Sequence, residues 1–182
     1  ASSGTIPAAL AQQARPGTTL RLRMLSVTDA GMAGEEAFRM LIPADWRVEG
    51  GIVWRTELAT LAYTAMRVSN PDGPERMEIF PVVPYTWSQM GYMGFPAGSL
   101  YLGQVVQPPV DVPTFLRQAV LPQFRANLNP QITGGEELPQ VAQAIAASIQ
   151  EPGASKQVVA QRTRIEYQEG GLWIEEDLYC VM

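Results

Sequence analysis

The chain contains no histidine. That absence removes the commonest general base, the usual metal-ligating imidazole and every catalytic triad that depends on one. Cysteine occurs once, at Cys180, so neither an internal disulfide nor a cysteine-based metal cluster can form. Without an imidazole partner, and with Leu178 and Met182 beside it at strand spacing, Cys180 reads as a buried structural thiol rather than a nucleophile. Lysine is almost missing: of 13 basic residues only Lys156 is not an arginine. It stands in a Gly-Ala-Ser-Lys loop with Ser155 its one nucleophilic neighbour, a poor basis for a Ser–Lys pair. Positive charge is scarce overall, and a net charge of −5 argues against nucleic acid and against a basic membrane-surface role. No apolar run approaches the roughly 18 residues of a membrane span, so none is expected. Residues 1 to 14 lack the basic start and apolar centre of a signal peptide. Their small Ala/Ser/Gly-rich beginning suits either a processed, exported bacterial protein or the edge of an expressed fragment, and the expected location is extracytoplasmic.

What is present is an ordinary folding composition, 46% hydrophobic and 17% charged over 182 residues. A chain near this length buries roughly 70% of its unfolded surface around one core. The expected organisation is an N-terminal extension over residues 1–17, interrupted by Pro7, Pro16 and Gly17, and one domain over 18–182.

Strand signal begins at Thr18, where Leu20, Leu22 and Met24 alternate with Arg21 and Arg23, predicting that the three apolar residues face inward. Phe38, Met40 and Ile42 form a second such row, ended by Pro43. A corner closed by Trp46 then leads into a return strand through Gly50 and Gly51. Around the turn Asn-Pro-Asp-Gly-Pro-Glu, pairing Val68 with Met77 also sets Met66 against Ile79 and Arg67 against Glu78, which predicts a hairpin in that register. Asp111 can cap a helix with Pro113 in its first turn, and Pro122 predicts a kink or a break near Leu121. A second helix is predicted from about Glu137 to Gln150, burying Leu138, Val141, Ala142, Ile145 and Ile149. Glu136 and Glu137 would favour its N-terminus, and Pro152 and Gly153 would stop it. The final hairpin has two plausible registers. A turn at Glu169–Gly170 sets Arg164 against Glu175 and Arg162 against Asp177, whereas a turn at Gly170–Gly171 sets Glu166 against Glu175. Cross-strand charge favours the first. The closing strand, Leu178 to Met182, is apolar and has no polar tail, which suggests that the chain continues past Met182 or buries its end.

The corner Ile42-Pro43-Ala44-Asp45-Trp46 and its apolar return strand resemble the early corner of the family that groups Mog1 with the photosystem protein PsbP. The resemblance spans about Phe38 to Trp87. It implies an antiparallel sheet with packed helices and a non-catalytic binding or assembly role; no residue role carries over.

Carboxylates are the remaining catalytic candidates. Asp45 and Glu49 flank Trp46, and paired carboxylates beside an aromatic are how glycosidases are built. The blander reading has Asp45 capping its turn and Glu49 solvated, as Asp does in turns. Glu175, Glu176 and Asp177 cannot share one ion on a strand, because the middle residue points to the opposite face. Gly91, Gly94 and Gly98 match no phosphate-binding spacing. No metal or cofactor is expected.

The segment Phe80–Gly103 is unlike the rest, keeping neither period and gathering Tyr85, Trp87, Tyr92, Phe95 and Tyr101 among prolines and glycines. Such aromatics either fold inward to cover one end of a sheet or present large apolar area for contact. The expected fold is α+β, an antiparallel sheet of about six or seven strands with two helices on one face. The expected function is a non-catalytic binding module whose contact surface is the aromatic segment 85–101, for a protein or small ligand. The alternatives are a carboxylate-dependent glycan hydrolase, and a structural subunit of a larger assembly that self-associates through its C-terminal strand.

Overall fold

A computed structural model describes residues 19–56, 61–87, 95–149 and 157–182. The described residues up to Val82 gather into one compact unit and those from Val83 onward into a second. The extension 1–17 lies outside the described residues.

In the first unit, β1 (Leu22–Asp29) pairs antiparallel with β2 (Glu35–Pro43), and β3 (Arg47–Trp54), β4 (Ala62–Ser69) and β5 (Arg76–Ile79) form a second antiparallel sheet in that order. The inner rows of both sheets share one core: Val27, Ile42, Met66 and Val68 are buried, with Leu25, Phe38, Met40, Trp46, Val48, Ile52 and Ile79 packed on them. The row Phe38, Met40, Ile42 faces inward as its spacing predicts. The β1 face is a correction. Leu22 and Met24 are 53% and 57% exposed, while Leu25 and Val27 turn in. The register explains it, because Leu25 stands opposite Met40 and Val27 opposite Phe38, and residues directly opposite share a face. Arg23 falls on the inner row, and its guanidinium escapes the core by donating to the carbonyls of Ala44 (3.0 Å) and Trp46 (3.3 Å).

The corner forms as expected, with Trp46 N–H donating to the Pro43 carbonyl at 3.2 Å. The β4–β5 hairpin also takes its predicted register, including an Arg67–Glu78 ion pair. Asn70 organises its loop. Its amide N–H reaches the Glu75 carbonyl at 2.8 Å, its side-chain oxygen accepts from Asp72 N–H at 3.0 Å, and its side-chain nitrogen donates to the Glu75 carboxylate at 2.8 Å.

In the second unit, Asp111 caps α1 (Val112–Phe115) by accepting from Thr114 N–H at 2.7 Å, with Pro113 in the first turn. The irregularity expected near Leu121, a kink or a break, is a wide helical turn. The chain runs through a π-helical turn (Leu116–Val120) into α2 (Leu121–Phe124), with Leu121 N–H donating to the Leu116 carbonyl five residues back. Pro122 brings no N–H and would crowd the carbonyl four residues before it, and widening the preceding turn relieves that crowding without ending the helix. Val112, Phe115, Leu116, Val120 and Leu121 form its buried face.

β9 (Gln131–Glu137), β10 (Ala160–Glu169) and β11 (Leu172–Val181) make an antiparallel sheet with β10 in the centre. Glu136 and Glu137 therefore close a strand instead of opening a helix, and α3 spans only Pro139–Ser148. Of its predicted buried row, Leu138, Ala142 and Ile145 are half-buried, whereas Val141 and Ile149 are about two-fifths exposed. Gln150, Pro152 and Gly153 lie outside the described residues. The last hairpin corrects the chosen register: Glu166 stands opposite Glu175, Tyr167 opposite Ile174 and Arg164 opposite Asp177. Gly170 and Gly171 occupy the turn at φ 60° and 82°. A two-residue turn with both central residues left-handed matches the twist of the strands it joins. The Glu166–Glu175 repulsion this leaves is softened by Arg164, which binds Asp177 at 2.9 Å and lies 3.6 Å from Glu175.

The fold class is α+β with mostly antiparallel pairing, but the expected single sheet of six or seven strands with helices on one face is not what forms. The described strands make four small sheets of two or three strands. In the first unit the two sheets meet through their inner rows and so do not join edge to edge. Between β5 and α1, the prolines at positions 81, 84, 96, 108 and 109 withhold backbone donors that a continuous ladder would need.

Candidate functional site

The aromatic segment is held by a miniature sheet of β6 (Tyr85–Thr86), β7 (Leu100–Tyr101) and β8 (Gln104–Val106), with β8 central. β6 pairs parallel to β8, and β7 antiparallel to it. Short as these strands are, their bonds tie the ends of the segment together. Val105 N–H donates to Pro84 (3.1 Å), Gln107 N–H to Thr86 (3.0 Å), Val106 N–H to Ser99 (2.9 Å) and Gly98 N–H to Val106 (2.7 Å). Val106, at 1% exposure, anchors the arrangement.

On this frame the five sequence candidates divide. Tyr85 is half-buried, its ring 5.9 Å from that of Phe115 on α1. Burial, and then the neighbouring Cys180, push its phenol above the ordinary tyrosine value. Tyr101 is also half-buried and meets Phe95 edge to face, with ring centres 5.1 Å apart. Trp87 and Phe95 remain 41% and 40% exposed. Tyr92 lies outside the described residues. So Tyr85 anchors, Tyr101 supports Phe95, and Trp87 and Phe95 present apolar area.

Two leucines of Phe80–Gly103 are also exposed and were not among the candidates. Leu100 and Leu102 are 65% and 64% exposed. Leu102 sits at the tip of the β7–β8 hairpin with φ 50°, followed by Gly103 at φ 78°. A leucine held left-handed costs roughly 1–2 kcal/mol relative to glycine. The pair Leu-Gly between Tyr101 and Gln104, where a tight turn favours Asn-Gly, was the available signal.

The other chemical candidates are dispersed. Asp45 and Glu49 are both exposed, and Glu49 stands opposite Arg67 in the β3–β4 register. Ser155 and Lys156 lie outside the described residues. Burial pushes the Cys180 thiol up, away from the thiolate a nucleophile needs. Glu176 turns inward on β11 while Glu175 and Asp177 turn outward, as strand alternation demands. Among the described residues no three Cys, Asp or Glu side chains converge into a metal site, and no helix is long and apolar enough to cross a membrane.

One polar cluster is buried. Arg125, 6% exposed, donates through Nε and Nη2 to both oxygens of Glu176 (2.9 and 2.7 Å) and through Nη1 to the Phe124 carbonyl (2.9 Å). The Tyr167 hydroxyl donates to the same carboxylate at 2.9 Å. Charge and hydrogen bonds are matched, and the cluster clamps the end of α2 to the β10–β11 sheet. A shallow cavity of about 370 Å³ lies beside it, lined by Arg117, Leu121, Pro122, Arg125, Asn129 and Pro130 among others.

No family model matches the chain, and no curated protein or solved structure is found to be similar to it.

Proposed function

We propose that this protein is a non-catalytic binding or assembly module whose contact surface is the aromatic segment, centred on Trp87 and Phe95, with the exposed Leu100 and Leu102 nearby in the chain. The observation that carries the reading is the exposure of Trp87 and Phe95 at about two-fifths each, on a segment whose other described aromatics are anchored. Large rigid aromatics left in water on a tied-down frame offer contact area at small entropic cost. The likeness of the Ile42–Trp46 corner to the Mog1/PsbP family, whose members mostly bind or assemble, points the same way. Replacing Trp87 and Phe95 together by alanine is expected to abolish partner capture from native extract while the melting temperature stays within about 2 °C, as for surface substitutions. The control Tyr85→Ala is expected to lower the melting temperature clearly. A comparable fall for the Trp87/Phe95 pair would make them core residues and end the proposal.

A second reading, subunit of a larger assembly, is favoured by the position of β11 at a sheet edge with Tyr179 69% exposed.

A further inference from the structure

β11 pairs with β10 on one side, and no other described strand pairs with its far side. Which main-chain groups face that free side follows from the register. Val159 and Met182 exchange both of their N–H···O bonds, at 2.8 and 2.9 Å, and the β10–β11 ladder runs from Ala160↔Val181 to Glu169↔Leu172 without a shift. Hydrogen-bonded and non-bonded pairs alternate along an antiparallel ladder. Even-numbered β11 residues therefore bond to β10, and Trp173, Glu175, Asp177, Tyr179 and Val181 direct their N–H and C=O groups to the free edge. The same odd residues project their side chains from the outer face, in the order aromatic, acid, acid, aromatic, aliphatic. Trp173, Tyr179 and Val181 are 72%, 69% and 46% exposed.

Charge on this face selects the occupant. Arg162 and Arg164 stand against Glu136, Glu166, Glu175 and Asp177, two positive charges to four negative. Two copies of β11 laid antiparallel along their full length, centred on Glu176, would set Glu175 of one against Asp177 of the other twice. Like charges directly opposite are destabilising, and charged residues in mid-strand are how edges discourage self-pairing. An incoming strand with cations at alternate positions meets the opposite situation. Its ammonium or guanidinium groups lie over Glu175 and Asp177 and against the faces of Trp173 and Tyr179.

We propose that the free edge of β11 is a strand-addition site for an extended, basic segment of a partner protein, one with Lys or Arg at every second residue and apolar or β-branched residues between. Its residues all belong to β11 and include none of the aromatic segment 85–101.

The test uses the full chain and an acetylated, amidated nonapeptide alternating Lys with Val or Thr, with a matched peptide carrying Glu for Lys. In amide-resolved NMR titration, the lysine peptide is expected to shift and protect the amides of Trp173, Glu175, Asp177, Tyr179 and Val181, leaving the even-numbered β11 amides nearly still. Glu175→Lys is expected to weaken it by about fivefold or more, the effect of turning one favourable cross-strand charge pair and its neighbour unfavourable. Glu175→Pro removes an N–H only from the free edge, so it should abolish binding while the melting temperature and the β10–β11 ladder persist. Trp87→Ala is expected to bind the lysine peptide unchanged, which separates this site from the aromatic segment. Equal binding of the glutamate peptide overturns the proposal, as do lysine-peptide shifts that survive Glu175→Pro. Concentration-dependent shifts of the same amides with no peptide present would assign the edge to a second copy of the chain and overturn it too.

Discussion

Removing the Glu176 carboxylate tests how the second unit is held together. Glu176→Ala removes both hydrogen bonds that the Arg125 guanidinium, 6% exposed, makes to the Glu176 carboxylate, and the one that the Tyr167 hydroxyl donates to it. Taking one partner from a buried ion pair costs about 3–5 kcal/mol, most of it the penalty of an uncompensated buried charge. At about 2–4 °C per kcal/mol for a chain of this size, the melting temperature should fall by roughly 6–20 °C. Replacing the whole cluster, as Arg125→Met with Glu176→Leu and Tyr167→Phe, removes charge and hydrogen-bonding groups together and should recover most of that loss. Urea denaturation followed by tryptophan fluorescence, with calorimetry on each variant, measures both effects. A loss below about 1 kcal/mol for Glu176→Ala, the scale of a surface ion pair, would refute the reasoning, because the carboxylate would then be solvated. So would a triple variant less stable than the single one, since the pair would then add net stability instead of offsetting its own desolvation.

Two further outcomes are expected. At Gly50, which has φ 84°, an added Cβ would lie 2.2 Å from the Ala65 carbonyl oxygen, whereas Gly34, at φ 79°, has open space around it. Gly50→Ala should therefore cost clearly more than Gly34→Ala, whose penalty is left-handed strain of about 1–2 kcal/mol; equal denaturation midpoints would show that β3 and β4 can separate there freely. Acid should destabilise the fold in a defined direction. The Asp177 carboxyl is held below its ordinary value of 3.8, first by its hydrogen bond from Arg164, and Glu36, Glu75 and Asp111 are lowered by hydrogen bonds of their own. A carboxylate whose folded value is depressed contributes stability above its unfolded value and loses it as pH falls through the folded one. Stability measured from pH 6 downward should thus stay level until the ordinary carboxylate range and then fall, and Asp177→Asn should flatten part of that fall. An unchanged acid limb in that variant would detach Asp177 from it.

The amino-acid sequence alone determined the features whose causes are local. The β4–β5 register, the Asp111 cap with Pro113 behind it and the corner closed by Trp46 each rest on residues within a few positions of one another, where side-chain alternation and turn chemistry agree. It also marked the aromatic segment, because clustered aromatics among prolines and glycines break both periods. The tertiary structure decided what local chemistry leaves degenerate. β1 carries apolar residues in both parities, Leu22 and Met24 in one and Leu25 and Val27 in the other, so only pairing with β2 could choose its buried face. At the last hairpin, charge pairing and turn geometry disagreed, and the need for two left-handed residues at Gly170–Gly171 outweighed an exposed ion pair worth under about 1 kcal/mol. β9, with Gly134 and Gly135 in its middle, has little strand character until β10 supplies a partner. Arg125 and Glu176, 51 positions apart, meet only because α2 packs on the sheet. Within the candidate site, too, only packing could separate Tyr85, pinned against Phe115, from Trp87 and Phe95, left in water, because composition lists side chains without saying which way they point.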